Sequence, residues 1–442
     1  MSRSRCMRFA VFVQGTGNHI AGWRLPGASD NGESLAVMQN IAATAERGLF
    51  DLLFVSDGLA TKVKGDHPSF VARLEPTTLL AALAVTTRHL GLGGTMSTTY
   101  SDPFTTARAF ASLDHLSQGR AAWNAVTSSA AAAAANFSRA GHPEHDHRYE
   151  IAEEFVDVVK GLWDCWEDDA LPRNRETGLF VDPAKVRTLD HVGRYFQVKG
   201  PLNMSRCPSG HPVIIQAGAS AAGQNFAART ADVVFTVVQD LVEARRHYAG
   251  FKALLPRFGR QPEHCHLLPG VMPFIAESDA AAKALLDQLQ GFLDAENALA
   301  LVSARIGHDL SGYPLDGPVP ELPPTDMSHA FAQTLMSAAR RDNMTLRDLY
   351  NLVAAARGHW VIYGSPTRIA DIMEEWFLTG AADGFVVLPP WFPGQFDAFV
   401  DQVIPILQQR GLYRTAYEGT TLRENLGLPR PGSHRGVGAA AQ

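Results

Sequence analysis

Residues 101–129, SDPFTTARAFASLDHLSQGRAAWNAVTSS, read as a helix, a turn and a strand whose far end carries polar side chains. Asp102 suits an N-cap and Pro103 the first helical position, Phe110, Leu113 and Leu116 recur at helical spacing, and Gly119 stops the turn. Residues 121–127 then alternate, with Ala121, Trp123, Ala125 and Thr127 on one face and Ala122, Asn124, Val126 and Ser128 on the other. An amide inside such a strand needs partners, because leaving it unpaired costs about 1–3 kcal/mol. Asn124 is therefore either a core amide satisfied by its neighbours or a group that a site uses.

Outward from this unit the same rhythm repeats in both directions. Apolar runs at 9–13, 51–56 and 90–95 precede it, and runs at 212–217, 232–237, within 265–275, and at 384–388 follow it. Helical patterns separate them, over 33–47, 76–88, 149–166, 219–230, 241–255, 278–298 and 366–378, with a last one at 395–409. Eight strands alternating with helices predict an α/β protein with a (β/α)8 TIM barrel, which needs about 250 residues. The expected organisation is one barrel domain over residues 1–442. Insertions of about 59–75, 129–148, 167–211 and 299–343 are expected at the C-terminal face of the strands, and a tail, 411–442, is expected to wrap a surface. In the third insertion GRYFQVKGPLN reads as a small hairpin, in the fourth SGYPLDGPVPELPPTD as a loop over the barrel mouth, and the alanine run at 130–135 as a short helix.

Composition narrows the function. Of 442 residues, 46% are hydrophobic and 19% charged, enough apolar surface for an enzyme-sized core. With a net charge of −6 and no run of Lys or Arg, no nucleic-acid partner is expected. Cys6, Cys165, Cys207 and Cys265 are scattered without metal-ligand spacing, which predicts free thiols, no metal and a reducing compartment. The apolar run at 9–13 is too short for a signal peptide and no stretch approaches the ~18 residues of a membrane span, so a cytoplasmic protein without membrane contact is expected.

Active sites of such barrels lie at the carboxyl ends of the strands. That rule selects Gln14 and the GTGNH loop with His19, then Asp57, Thr95, Thr127, Ser128 and residues 218–220. QAGAS (216–220) joins a strand directly to a helix, either as a plain turn capped by Ser220 or as a cradle for phosphate at the positive end of the helix. His142, His145, His147 and Tyr149 lack the spacing of a metal motif and belong to a solvated loop or a lid. Asp57 could serve as a base, a loop cap or a ligand contact, and no G-x-S-x-G elbow suggests a nucleophilic serine.

As a set, these residues resemble the bacterial luciferase-like flavin monooxygenases, in the branch of the nitrilotriacetate, EDTA and dibenzothiophene-sulfone monooxygenases. The matching stretches include FVQGTGNHIAGWR, RGLFDLLFVSDG, LEPTTLLAALAVTTRHLGLGGTMSTTYSDPF, ARAFASLDHLSQGRAAWNAVTS, HDHRYEIAEEF, PVIIQAGASAAGQNFAARTADVVFT and EGTTLRENLGLPRP, spread over nearly the whole chain. The resemblance implies FMN, supplied reduced by a separate NAD(P)H-dependent flavin reductase, and insertion of one oxygen atom from O2 into a small organic substrate by way of a flavin C4a-(hydro)peroxide. It places flavin contacts on Asp57, Thr95, His145, Tyr149 and Ser220, with Asn124 as a further one, and makes His19 a candidate to hydrogen-bond the oxygen adduct or donate a proton. It also implies a homodimer or homotetramer. Two rival readings are an F420-dependent oxidoreductase on the same barrel and a non-catalytic flavin-binding protein. The GTGNH loop, where relatives often carry a second His beside His19, and the alanine-rich NAVTSSAAAAAANFS depart from the pattern and bear on the substrate. Basic residues in the insertions would favour a polycarboxylate, and Lys62, Lys64, Arg173 and Arg175 are the residues considered for that role.

Overall fold

The computed structural model describes residues 5–61, 67–128, 130–138, 141–321, 335–337 and 339–432; Lys62, Lys64, Ser129 and the end of the tail lie outside the described residues. Residues 101–129 form the expected unit. Asp102 Oδ1 accepts the Thr105 N–H at 3.0 Å at the head of the helix Pro103–Leu116, and the strand follows at Ala121–Val126. Its two faces separate as the alternation requires. Trp123 points outward onto Phe110, Phe155 and Trp163, its Nε1 donating to the Met96 carbonyl at 3.1 Å, while Ala122 joins the apolar cluster inside the barrel.

Eleven strands are described: β1 (Arg8–Val13), β2 (Leu52–Val55), β3 (Gly91–Ser97), β4 (Ala121–Val126), β5 (His191–Val192), β6 (Gln197–Val198), β7 (Val213–Gln216), β8 (Val233–Thr236), β9 (His266–Ile275), β10 (Trp360–Gly364) and β11 (Gly384–Val387). The parallel ladder β1-β2-β3-β4-β7-β8-β9-β11 closes on itself through β11 and β1, giving the expected eight-stranded barrel. β10 was not anticipated. Val271 of β9 pairs with Val387 on one edge and with Trp360 on the other, so β10 takes over the edge that β8 leaves after Pro269. It adds a ninth strand beside the barrel without opening it. β5 and β6 are the small hairpin of the third insertion, with the first strand just ahead of GRYF. The pattern at 278–298 resolves into two helices, Asp279–Gly291 and Ala295–Ile306, and that at 149–166 into His145–Trp163.

The insertions divide between the two ends. The third follows a helix rather than a strand, so it returns to the end where strands begin: the Ser209 N–H and hydroxyl bond Asp114 Oδ2 at 3.1 and 2.8 Å, and Arg206 pairs with Asp164 at 2.5 Å. Arg173 and Arg175 sit exposed on it, away from the strand ends that matter for chemistry. The described part of the tail, residues 411–432, runs over this end of the barrel and plugs it. Its short helix Leu422–Leu426 carries Leu422 and Leu426, with Leu428 beyond, into the interior cluster with Leu52, Val213 and Leu268. Gly91 makes room, since a Cβ there would meet a Leu422 methyl at 2.6 Å.

The same end repeats one polar device. Asp51, Asp232 and Asp383 each stand one residue before a strand and accept the N–H of the second residue of a neighbouring strand, Phe9 at 2.8 Å, Ile214 at 2.9 Å and Leu267 at 3.0 Å. Each is also met by a cation: Arg414 for Asp51, Arg423 at 2.8 Å for Asp232 and Lys252 at 2.8 Å for Asp383. Burial alone would raise the Asp383 pKa, but Lys252 and its other partners hold it at about 2. Among the described residues no helix is long and apolar enough to cross a membrane.

Candidate functional site

At the opposite end the barrel is hollow. A cavity of about 430 Å³ opens among the carboxyl ends of β1 to β4 and β7, with Phe12, Asp57, Thr95, Asn124, Tyr149 and Gly218 on its wall. Thr95 and Asn124 are register partners across β3 and β4, and Asn124 Nδ2 donates to Thr95 Oγ1 at 2.9 Å. That bond uses the amide's donor and leaves Asn124 Oδ1 buried with no partner. A buried, unmet acceptor on a cavity wall is what a ligand N–H would complete. Asp57 turns its carboxylate back to the Gly58 N–H at 2.8 Å, and burial raises its pKa against the lowering effects of that bond and of Arg73.

The second feature lies where β7 runs into the helix Ala221–Thr230. Ser220 caps that helix, its Oγ accepting the Gly223 N–H at 3.1 Å. The Tyr149 hydroxyl sits over the same turn: a Cβ on Gly218 would come to 3.1 Å from it and one on Gly223 to 2.8 Å. Small residues, a helix N-terminus and a hydroxyl thus converge on one spot, a combination suited to an anion. His145 lies one turn before Tyr149 on the same helix with ring centres 5.1 Å apart, half exposed and bonded to Asp146 at 2.7 Å. Asp57, Thr95, Asn124 and Tyr149 therefore share the cavity wall, whereas Ser220 and His145 stand one step outside it.

The remaining histidines of that segment are engaged with protein partners. His142 bridges the Tyr100 hydroxyl at 2.6 Å and the Arg148 guanidinium, and His147 meets the Tyr195 hydroxyl at 3.4 Å. No cluster of three or more His, Cys, Asp or Glu able to hold a metal ion occurs among the described residues. The alanine run does form a short helix, Ala133–Asn136, and Ala133 reaches the cavity. Asn136 Nδ2 donates to the Leu59 carbonyl at 2.8 Å, and Ala133, Ala134 and Tyr100 pack on Leu59 and Ala60, so the first two insertions close over the cavity together.

His19 is fully buried in the loop after β1 and is not part of the cavity wall. Its Nδ1 accepts the Ala21 N–H at 3.1 Å, which leaves the proton on Nε2, and Nε2 has no partner. Burial lowers its pKa to about 3, so near pH 7 His19 presents a neutral N–H. Sequence reasoning missed Gly223, a glycine in the first turn of a helix, and His359, which lines the cavity from just before β10.

A parallel barrel with a lidded cavity at its strand ends and an anion-suited helix N-terminus beside it is the architecture of a cofactor-using barrel enzyme. Residues 7–382 match the luciferase-like monooxygenases, and the chain belongs to that family. It is 50% identical over 435 residues to the N-acetyl-S-(2-succino)cysteine monooxygenase of Bacillus subtilis (strain 168), covering 97% of this chain and 98% of that one. To nitrilotriacetate monooxygenase component A of Aminobacter aminovorans it is 43% identical over 445 residues, covering 98% of each. Among solved structures, riboflavin lyase with modified FMN and riboflavin superposes with a TM-score of 0.84 at 32% identity, covering 99% of this chain and 100% of that one. The chain is a flavin-dependent monooxygenase of the branch that the sequence stretches resemble.

Proposed function

We propose that this chain is the oxygenase component of a two-component system. It takes up reduced FMN made by a separate NAD(P)H-dependent flavin reductase and inserts one atom of O2 into a small organic substrate. The observation that carries the reading is the unmet Asn124 Oδ1 inside a cavity whose far end holds the Tyr149 hydroxyl over the Gly218 and Gly223 turn. The relative solved with modified FMN supports the choice of flavin.

Bound reduced FMN supplies the electrons and the centre at which O2 is activated. The chain's own residues bind and orient it. Asn124 Oδ1 would accept a hydrogen bond from it, with Thr95 holding the amide in that orientation and Asp57 beside it on the cavity wall at the end of β2. Tyr149 and Ser220 would hold its phosphate at the positive end of the helix, with His145 beside Tyr149 at the rim. His19 offers a neutral N–H from behind the first loop, and the lid of Leu59, Ala60, Ala133 and Ala134 keeps water from the reacting centre. The assembly is a homodimer or homotetramer, which light scattering tests.

The deciding experiment mixes the protein with anaerobically reduced FMN and then with O2. The expected result is tight FMN binding and flavin reoxidation slower than that of free reduced FMN. Reoxidation at the free rate together with binding of F420 would replace the reading with F420-dependent hydride transfer. FMN binding with no substrate-dependent oxygen uptake across a substrate panel would leave a flavin-binding protein.

A further inference from the structure

The third insertion is ordered, yet it buries almost nothing of its own. From 171 to 201 no residue is buried, although hydrogen bonds fix the segment along its length. At its tip Asn174 Oδ1 accepts the Glu176 and Thr177 N–H groups at 2.9 and 3.0 Å, and the Asn174 N–H donates to the Leu179 carbonyl at 2.9 Å. Further on, the Asp182 N–H donates to the Ala170 carbonyl and the Arg187 N–H to the Cys165 carbonyl, both at 2.9 Å. The β5–β6 hairpin lies on the helix His145–Trp163, where Glu154 meets His191 at 3.0 Å and the Phe196 N–H at 2.9 Å, and Phe196 packs edge-on against Phe155 at 5.5 Å.

Holding a chain in one conformation costs entropy at every residue, which burial of side chains ordinarily offsets. Here apolar side chains are left in water instead: Leu179 is 45%, Phe180 63% and Val192 78% exposed. Leu179 and Phe180 are adjacent, at the foot of the turn that Asn174 closes, so they form a patch and not scattered single residues.

Charge says what kind of surface would cover them. Residues 171–201 hold six Lys and Arg against three Asp and Glu, a net charge of +3, and since the chain totals −6 the remainder carries −9. Lys185 and Arg194 answer Asp169 and Glu150 of the body. Arg173 and Arg175, on the same turn as Leu179 and Phe180, form no ion pair with any described residue. A basic, apolar-tipped arm on an acidic body is complementary to the body of another copy of the same chain.

We propose that the third insertion is the arm by which two copies of this chain associate, with Leu179 and Phe180 docked on the partner's acidic body and Arg173 and Arg175 meeting carboxylates around them. A two-fold axis makes the exchange reciprocal, each copy giving one arm and receiving one. This deepens the homo-oligomer part of the reading above and rests on it; the flavin chemistry plays no part.

The test is light scattering of the full-length protein over a dilution series, at low and at high salt. The wild type should be larger than one chain and should dissociate more readily as salt rises. Phe180→Ser should raise the dissociation constant tenfold or more, and Arg173→Glu combined with Arg175→Glu about tenfold at low salt and less at high salt. Leu378→Ser, at a side chain 61% exposed on another helix, should leave it unchanged. All these side chains are exposed and away from the cavity, so the urea midpoint and FMN affinity of each variant should match the wild type and show that it is folded. A wild type that is one chain at every concentration removes the homo-oligomer and this proposal together. An oligomer that ignores Phe180→Ser, or that Leu378→Ser weakens as much, overturns the arm and keeps the oligomer.

Discussion

The two mouths of this barrel are built from the same strands and finished in opposite ways. Where the strands begin, the tail drives Leu422, Leu426 and Leu428 into the interior, and buried aspartates are each matched by a backbone N–H and a cation. Where they end, the interior stays open, Asn124 keeps an unmet oxygen and His19 an unmet N–H. Stability is concentrated at the first mouth, and at the second some of it is given up for a site that a ligand completes.

The comparison breaks most readily at Arg423, which bonds Asp232 at 2.8 Å and the His211 carbonyl at 2.7 Å. Arg423→Ala leaves a buried carboxylate without its main partner, a loss of about 3–5 kcal/mol in urea unfolding. FMN affinity of the folded protein should not change. A parallel loss of FMN affinity would mean that the two ends are not separable.

Much of this division was legible in the sequence and some was hidden for physical reasons. Asp57, Thr95 and Asn124 stand where strands end, so the barrel rule alone selects them. The bottom aspartates begin DLLFV, DVVFT and DGFVV, but period-two reading assigns Asp51 and Asp232 to the strands, because pairing to a neighbour's N–H is not local. The tail shows no helical period, since three leucines entering a closed barrel need not repeat along a face. β10 is only five residues long and serves an edge that β8 vacates, which no local pattern encodes. Arg73 and Arg357 are 284 positions apart in the numbering of the chain and both lie against the Phe70 ring.

The open mouth should reveal itself in acid. His19 has a folded pKa of about 3 against about 6.5 when unfolded, so between these values the unfolded chain binds a proton that the native one refuses. Its contribution is complete above pH 6.5 and is lost as pH falls toward 3, at about 1.4 kcal/mol per pH unit. Buried His211 and His266 at the other mouth shift in the same direction, so the wild-type slope carries several protons. His19→Gln keeps an acceptor for the Ala21 N–H and should spare about 2 kcal/mol of the loss between pH 6 and pH 4.5, measured by urea unfolding at each pH. An unchanged slope would place His19 in contact with water. Asp383, held at about 2, loses its contribution only as pH drops from about 4 through 2.

Gly223 sharpens the contrast from the ligand's side. A methyl there would lie 2.8 Å from the Tyr149 hydroxyl and 2.9 Å from Gly218 Cα, while alanine is a better helix former by about 1 kcal/mol. Gly223→Ala should therefore move the urea midpoint little and weaken FMN binding about tenfold, roughly 1.4 kcal/mol, in a fluorescence titration. Unaltered FMN affinity would put the phosphate elsewhere.

The smallest change bears most directly on what the open mouth gives up. In the flavin-free protein Asn124 gains one hydrogen bond, to Thr95, and leaves its Oδ1 buried and unmet, so the amide is a net cost there. Asn124→Leu removes the unmet oxygen, and the larger side chain has the cavity to extend into. Flavin-free protein should become about 1 kcal/mol more stable to urea while FMN affinity falls at least tenfold, the two effects opposite in sign at one position. The same substitution logic applied to the aspartates of the sealed mouth gives effects of one sign only, since Asp51, Asp232 and Asp383 each have a backbone N–H and a cation as partners. If Asn124→Leu lost stability and kept its flavin, the amide would be a structural group of the strand, and the unmet acceptor would have to be completed by water rather than by the cofactor.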